Sequence, residues 1–233
     1  MLMLYIVPTP IGNLDDITLR ALNTLFSVDV ILCEDTRKTF FLLKHFQKKE
    51  IKIPTLISYY EEIEVERIPK VIKMLKDGKE IALVTNAGTP TISDPGFKLV
   101  RECIKQGIKV TSLPGPFAPA VALSASGLPT DKFLFLGFLP SKLSQKINLF
   151  KNVQKSQEII SSTIVFFESP YKLIKTLESL KSVFGDIRIV IARELTKVFE
   201  EIKNEKISSI LEYYSKNEPK GEFVVLFNLK ENE

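Results

Sequence analysis

Short apolar runs alternate with longer amphipathic stretches along nearly the whole sequence, and that alternation confines the chain to an α/β architecture. Residues 4–7, 30–33, 81–84 and 109–113 read as buried strands. Between them, 18–27, 36–46, 65–76 and 97–106 repeat apolar side chains at helical spacing. Strand and helix in turn predict a mostly parallel sheet with helices on both faces. Leu113-Pro114-Gly115-Pro116 punctuates the end of this half, so two α/β domains are expected, 1–115 and 116–233. In the second, 133–138, 163–167, 187–192 and 223–229 read as strands of a mixed sheet, and 118–126 and 141–153 as helices. A further helix starts at Pro170 behind an N-cap Ser169, with Leu173, Ile174, Leu177 and Leu180 as its apolar stripe.

No apolar run approaches the ~18 residues of a membrane span. The opening residues read as a first strand rather than a signal peptide. Cys33 and Cys103 lie apart from each other and from the single histidine, His45, so neither a disulfide framework nor a metal site is expected. Cytoplasm is the default compartment. A net charge of +4 is too small to argue for nucleic acid, but its distribution is uneven. Arg37, Lys38, Lys44, Lys48, Lys49 and Lys52 stand against Glu50 alone, and Lys142, Lys146, Lys151 and Lys155 meet no acid before Glu158. Each run is either a solvated helix face or a phosphate-facing surface.

Ligands of open α/β sheets bind outside the carboxyl ends of the strands. Four unusual loops fall there: 8–13, 34–37, 85–96 and 114–116. Proline fixes the backbone and glycine lets it approach a ligand closely, so such loops bind through backbone carbonyls and amides. That suits a zwitterionic amino-acid portion joined to an adenine, and it does not suit a triphosphate. The ten glycines form neither G-x-G-x-x-G nor G-x-x-x-x-G-K-[ST], which removes the dinucleotide and P-loop signatures.

Charged residues mark three strand ends. In Glu34-Asp35-Thr36-Arg37, Asp35 suits a helix N-terminus, while Glu34 and Arg37 are placed to orient a hydroxyl or a phosphate. Glu168 follows 163–167, and Arg193, Glu194 and Lys197 follow 187–192. These last two groups are either surface pairs or, as their place at strand ends favours, cleft-facing.

Tyr5-Ile6-Val7-Pro8-Thr9-Pro10-Ile11-Gly12-Asn13-Leu14 resembles the opening of the tetrapyrrole-methylase-like superfamily, and more narrowly its ribosomal RNA branch. Glu34-Asp35-Thr36-Arg37, Ala87-Gly88-Thr89-Pro90, Ile92-Ser93-Asp94-Pro95-Gly96, Pro114-Gly115-Pro116, Phe167-Glu168-Ser169-Pro170, Ala192-Arg193-Glu194-Leu195-Thr196-Lys197 and Lys220-Gly221-Glu222 continue the likeness in order. The resemblance implies S-adenosyl-L-methionine as methyl donor, held in a cleft between two α/β domains. It implies a homodimer acting on 16S rRNA within the small ribosomal subunit, at the ribose 2′-oxygen of a cytidine. By family position the cofactor contacts Pro10, Ile11, Gly88, Thr89, Ile92, Phe117, Ala118, Phe167, Ala192, Glu222 and Phe223. Glu34 and Glu194 become candidate bases, with Arg37, Arg193 and Lys197 as candidate phosphate or oxyanion partners.

The sequence departs from the branch at Asn86, where aspartate is usual, at Phe117, where a small residue is common, and at Tyr171-Lys172, which replaces a His-Arg pair. Two other classes stay open at this level. A methylase of the same fold acting on a tetrapyrrole or a protein side chain is disfavoured by the blocks at 34–37 and 193–197. A non-catalytic RNA-binding factor is kept open by Asn86 and Phe117.

Overall fold

Strands β1 (Met3–Ile6), β2 (Val30–Cys33), β3 (Thr55–Ser58), β4 (Ile81–Leu83) and β5 (Lys109–Ser112) pair in parallel in the order β3-β2-β4-β1-β5. They are drawn from a computed structural model describing residues 3–48 and 51–230. Side chains alternate faces along each strand, so every strand feeds two cores. Leu4, Ile6, Val30, Leu32, Ile81 and Leu83 meet α3 (Glu64–Lys76) and α4 (Phe97–Lys105) through Val71, Leu75, Leu99 and Cys103. Val7, Ile31, Cys33, Ala82 and Val84 meet α1 (Leu19–Ser27) and α2 (Thr36–Phe46) through Ala21, Leu25 and Leu43. Burying each such aliphatic side chain contributes about 1.5–3 kcal/mol. Thr18 and Asp35 cap α1 and α2 by accepting the Ala21 and Arg37 N–H groups.

Because the strands are parallel, their carboxyl ends share one edge of the sheet. Along that edge Glu34 (after β2), loop 85–96 (after β4), loop 8–13 (after β1) and loop 114–116 (after β5) follow in strand order. Loop 85–96 therefore neighbours Glu34 on one side and loop 8–13 on the other. Topology alone sets up the site.

The chain divides into two compact units, Met1–Phe117 and Ala118–Glu233. The second has a mixed sheet of β6 (Phe133–Phe138), β7 (Thr163–Glu168), β8 (Arg188–Arg193), β9 (Glu201–Lys206) and β10 (Phe223–Phe227) in the order β6-β7-β10-β8-β9. Only β6 and β7 run parallel. One face packs on α6 (Leu143–Ile159), α7 (Pro170–Phe184) and α8 (Ile207–Lys216), with Phe150, Phe166, Leu177, Ile191, Ile210 and Phe223 at its core. Helix α5 (Ala118–Ala125) packs against β7 and β10. A register shift between Phe135 and Phe138 kinks β6, at Gly137 with φ +63°.

Two expectations change. Helix α6 runs past 153 to Ile159, and β3, β9 and α8 join elements foreseen from sequence. The lysine run at 142–155 is not one solvated face: Lys146 lies on the same stripe as Phe150 and Val153 and is only 4% exposed. It donates to Thr176 Oγ1 and pairs with Glu168 at 3.8 Å, while the Thr176 hydroxyl and the Ser169 N–H donate to Glu168. Glu168, 4% exposed, thus faces a buried lysine rather than a cleft. Burial depresses the Lys146 pKa, with Glu168 opposing that shift. Lys49 and Glu50 of the first basic run lie outside the described residues.

Candidate active site

Three loops at the sheet edge lock into one platform. The Thr9 and Gly88 main chains exchange two hydrogen bonds of 2.9 Å, and the Thr9 hydroxyl donates to Thr85 O at 3.0 Å. The Thr85 hydroxyl donates to Ala87 O and the Thr89 hydroxyl to Pro116 O, at 3.3 and 2.9 Å. A Cβ on Gly115 would sit 2.5 Å from Pro8 Cβ, so only glycine lets these two loops touch. Gly115→Ala is expected to cost about 1–3 kcal/mol by overpacking against a rigid ring, read as a lower urea midpoint. An unchanged midpoint would show that the loops are free to part.

Of the expected cofactor positions here, Pro10 and Gly88 are buried, Ile11, Thr89 and Phe117 half-buried, and Ile92 exposed. No charged side chain occurs in 8–13, 85–92 or 114–117. The Thr9, Thr85 and Thr89 hydroxyls are engaged inside the platform, so main-chain groups and uncharged side chains such as Ile11 and Ile92 are what it offers a ligand. A ligand recognised by shape and backbone hydrogen bonds, such as S-adenosylmethionine, fits this donor set.

On the other side of loop 85–96, Glu34 accepts the Asn86 N–H at 3.0 Å and ties the end of β2 to the loop. The loop turns through four residues of positive φ, Gly88 (φ +84°), Thr91 (φ +76°), Ser93 (φ +61°) and Gly96 (φ +124°). Such angles in Thr and Ser cost of order 1–3 kcal/mol each and persist only where the surroundings impose them. Glu64 imposes them. Its carboxylate is 3% exposed; it accepts the Gly96 N–H at 2.9 Å and the Tyr59 hydroxyl at 3.2 Å, and pairs with Lys98 at 3.3 Å. Glu64→Ala leaves two buried donors unpaired, at an expected cost of about 2–4 kcal/mol in urea unfolding. Glu64→Gln, which keeps an acceptor, should recover more than half of it. A loss no larger than that of a surface substitution would contradict this role.

Between these anchors lies a cavity of about 590 Å³, whose lining includes Glu34, Tyr60, Thr91, Ser93, Asp94 and Phe97. Burial, and then the charge of Glu34, push the Asp94 carboxyl up to about 7. A carboxyl half-protonated near neutral pH, in a recess beside the loop platform, is equipped to take or give a proton. Nothing in the motif Ile92-Ser93-Asp94-Pro95-Gly96 marks Asp94 as an acid–base group, because burial and Glu34, distant in sequence, set its environment.

The remaining candidates separate. The Arg37 guanidinium grips Asp35 at 2.8 and 3.1 Å and holds that carboxyl well below the usual range. In the second unit, Arg193 stands 3.6 Å from Glu201, its Nε buried without a hydrogen-bond partner. Glu194 accepts from Lys197 Nζ at 2.9 Å and from the Glu222 N–H at 3.0 Å, and Lys197 also reaches Glu222 at 2.9 Å. Burial pushes the Glu194 carboxyl up, but these partners outweigh it and leave the pKa below its ordinary value. Gly221 (φ +95°) makes room, since a Cβ there would lie 2.6 Å from Glu194. Glu194 has the chemistry of an anchor, not of a base.

Pairing sets Phe167, Val224 and Ala192 side by side across β7, β10 and β8, and Glu222 immediately precedes β10. Phe167 stacks edge-on against Phe135 at 5.1 Å. The Phe223 ring packs into the core against Tyr214, leaving only its main chain for a ligand. Ala118 opens α5. Among the described residues no group of three or more His, Cys, Asp or Glu is placed to hold a metal, and no helix is long and apolar enough to cross a membrane.

A parallel α/β unit with an uncharged backbone cradle and an adjoining recess lined by carboxyl groups suits an enzyme that binds a small organic molecule. Known proteins agree. Residues 3–211 match the profile of the Tetrapyrrole (Corrin/Porphyrin) Methylases. A "Ribosomal RNA small subunit methyltransferase I" of Hydrogenobaculum sp. (strain Y04AAS1) is 47% identical, covering 98% of this chain and 96% of the relative. A protein of the same name from Thermotoga maritima is 45% identical, covering 98% and 99%. The crystal structure of cobalt precorrin-4 methyltransferase superposes with a TM-score of 0.69 at 18% identity, over 97% of this chain and 94% of that one. That likeness shows the fold.

The chain belongs to the tetrapyrrole methylase family, and it is a methyltransferase that uses S-adenosylmethionine.

Proposed function

We propose that this chain methylates the ribose 2′-oxygen of a cytidine in 16S rRNA of the small ribosomal subunit. The observation that carries the substrate is the near-full-length identity of 45–47% to relatives named for small-subunit rRNA methylation. The ribose position, the cytidine, and a homodimer working in the cytoplasm rest on the family resemblance. The platform formed by loops 8–13, 85–92 and 114–117 holds the cofactor, and the same reading gives further contacts to Ala118, Phe167, Ala192, Glu222 and the Phe223 main chain.

When bound, S-adenosylmethionine supplies a methyl group activated by its sulfonium. A ribose hydroxyl is a weak nucleophile at neutral pH, so the chain must remove its proton as the new C–O bond forms. Asp94 is the acceptor best matched to that task, with a pKa of about 7 in the recess beside the platform. Glu34 works through Asp94: its charge adds to the burial that raises that pKa, and its bond to the Asn86 N–H fixes the loop. Glu64 holds the turn that presents Asp94. Alignment of hydroxyl and donor supplies the larger share, with a ceiling on the order of 7–11 kcal/mol.

The test is mass spectrometry of 16S rRNA from cells with and without the gene. The expected result is the loss of one ribose methyl on one cytidine. Identical modification maps would refute the substrate.

A further inference from the structure

Helix α2 leaves the recess two residues after Glu34 and carries a surface that methyl transfer does not explain. Its eleven residues include no acid. Thr39 and Leu43 point into the core, which at 100° per residue turns Arg37, Lys38, Phe40, Phe41, Lys44 and His45 outward. Phe41 is 72% exposed and Phe40 44%, their rings edge to face at 6.1 Å. Two large aromatic rings left in water among cations are unusual on a surface with no partner. Lys48, just past the helix, is also exposed and extends the basic stripe.

We propose that this face of α2 is the landing surface for a single-stranded RNA segment flanking the methylated nucleotide. An unpaired base stacks on Phe41, Phe40 supports that ring from the side, and Lys38, Lys44 and Lys48 meet the phosphates. The inference rests on the proposed RNA substrate and adds to it where the strand runs. Exposed aromatic rings interleaved with cations match unpaired nucleotides, whose base faces are open, whereas a duplex keeps its bases stacked on each other. A second copy of the chain fits poorly, because a two-fold contact through this face would set like charges against each other. The helix is about 16 Å long and starts beside Glu34, so a strand lying on it runs directly into the recess.

The experiment compares wild type, Phe41→Ala, Phe41→Trp and the Lys38→Ala/Lys44→Ala double variant. Binding of a fluorescent, unpaired eight-nucleotide RNA with a central cytidine is measured by anisotropy across salt concentrations. Methylation of small ribosomal subunits lacking the modification is measured at saturating S-adenosylmethionine. Phe41→Ala should weaken RNA binding about 5- to 150-fold, and Phe41→Trp should restore it. The double variant should lower the slope of log affinity against log salt by about 1.4. In the methylation assay KM for the subunit should rise while kcat and S-adenosylmethionine affinity hold.

Wild-type binding that is unmeasurable at low salt, or unaffected by Phe41→Ala, would overturn the proposal. So would a Phe41→Ala protein that changes its oligomeric state, which would make the face a contact between copies. If wild type fails to methylate the subunit but its RNA binding depends on Phe41, the substrate reading falls and the landing surface stands. If methylation proceeds with KM indifferent to Phe41 and the lysines, the landing surface falls alone.

Discussion

Asp94→Asn should lower kcat for methyl transfer by about 10²–10⁴-fold while leaving S-adenosylmethionine affinity unchanged, because it removes the proton acceptor and keeps the shape of the loop. The wild-type rate should climb with pH through about 7 and then level, following ionisation of Asp94. The same substitution should also stabilise the protein. In the folded chain Asp94 gives up its proton only near 7, against an ordinary value of 3.8, so its native environment opposes the charged form. Below about pH 3 the group is protonated folded or unfolded, and no cost arises. As pH rises from 4 to 7 only the unfolded chain ionises, stability falls, and the full cost is present above 7. Asn carries no such charge. Asp94→Asn should therefore gain about 1–2 kcal/mol at pH 8, discounted for the carboxyl's partial solvent access, and almost nothing at about pH 3. Lost activity with pH-dependent gained stability marks a strained functional carboxyl. A loss of both would mark an ordinary structural one.

The second large effect concerns folding. Lys146→Ala should cost about 3–5 kcal/mol, since it leaves the Glu168 carboxylate buried without its cation. Replacing both partners with apolar side chains of similar volume, Lys146→Met with Glu168→Leu, should return most of that loss. The two single variants and the double variant in urea unfolding measure it. Strict additivity of the losses would contradict the pairing.

These two residues also show what sequence conveyed and where it stopped. Spacing was enough for the strands and helices that carry the platform, because buried parallel strands are apolar on both faces and their loops are dense in proline and glycine. It missed β3, an edge strand only four residues long, and β9, whose Glu201-Ile202-Lys203-Asn204-Glu205-Lys206 carries the charged pattern of a solvated edge. The platform loops were legible as loops. Which carboxylate sits in an acid–base environment was not. Glu34 and Glu194 both follow apolar strands, yet one lines the recess and the other is clasped by Lys197 and the Glu222 N–H. Asp94 owes its pKa to burial and to Glu34 some sixty residues earlier, a relation that exists only in the fold. Lys146 looked like one more cation of a basic run because its partner stands on another element.

The most direct measurement is transfer of labelled methyl from S-adenosylmethionine to purified small ribosomal subunits lacking the modification, by wild type and by Asp94→Asn, followed by nuclease digestion and nucleoside analysis. The predicted result is label on one 2′-O-methylcytidine with wild type and its near absence with the variant. Label on a base, label on ribosomal protein, or equal transfer by the two proteins would contradict the account.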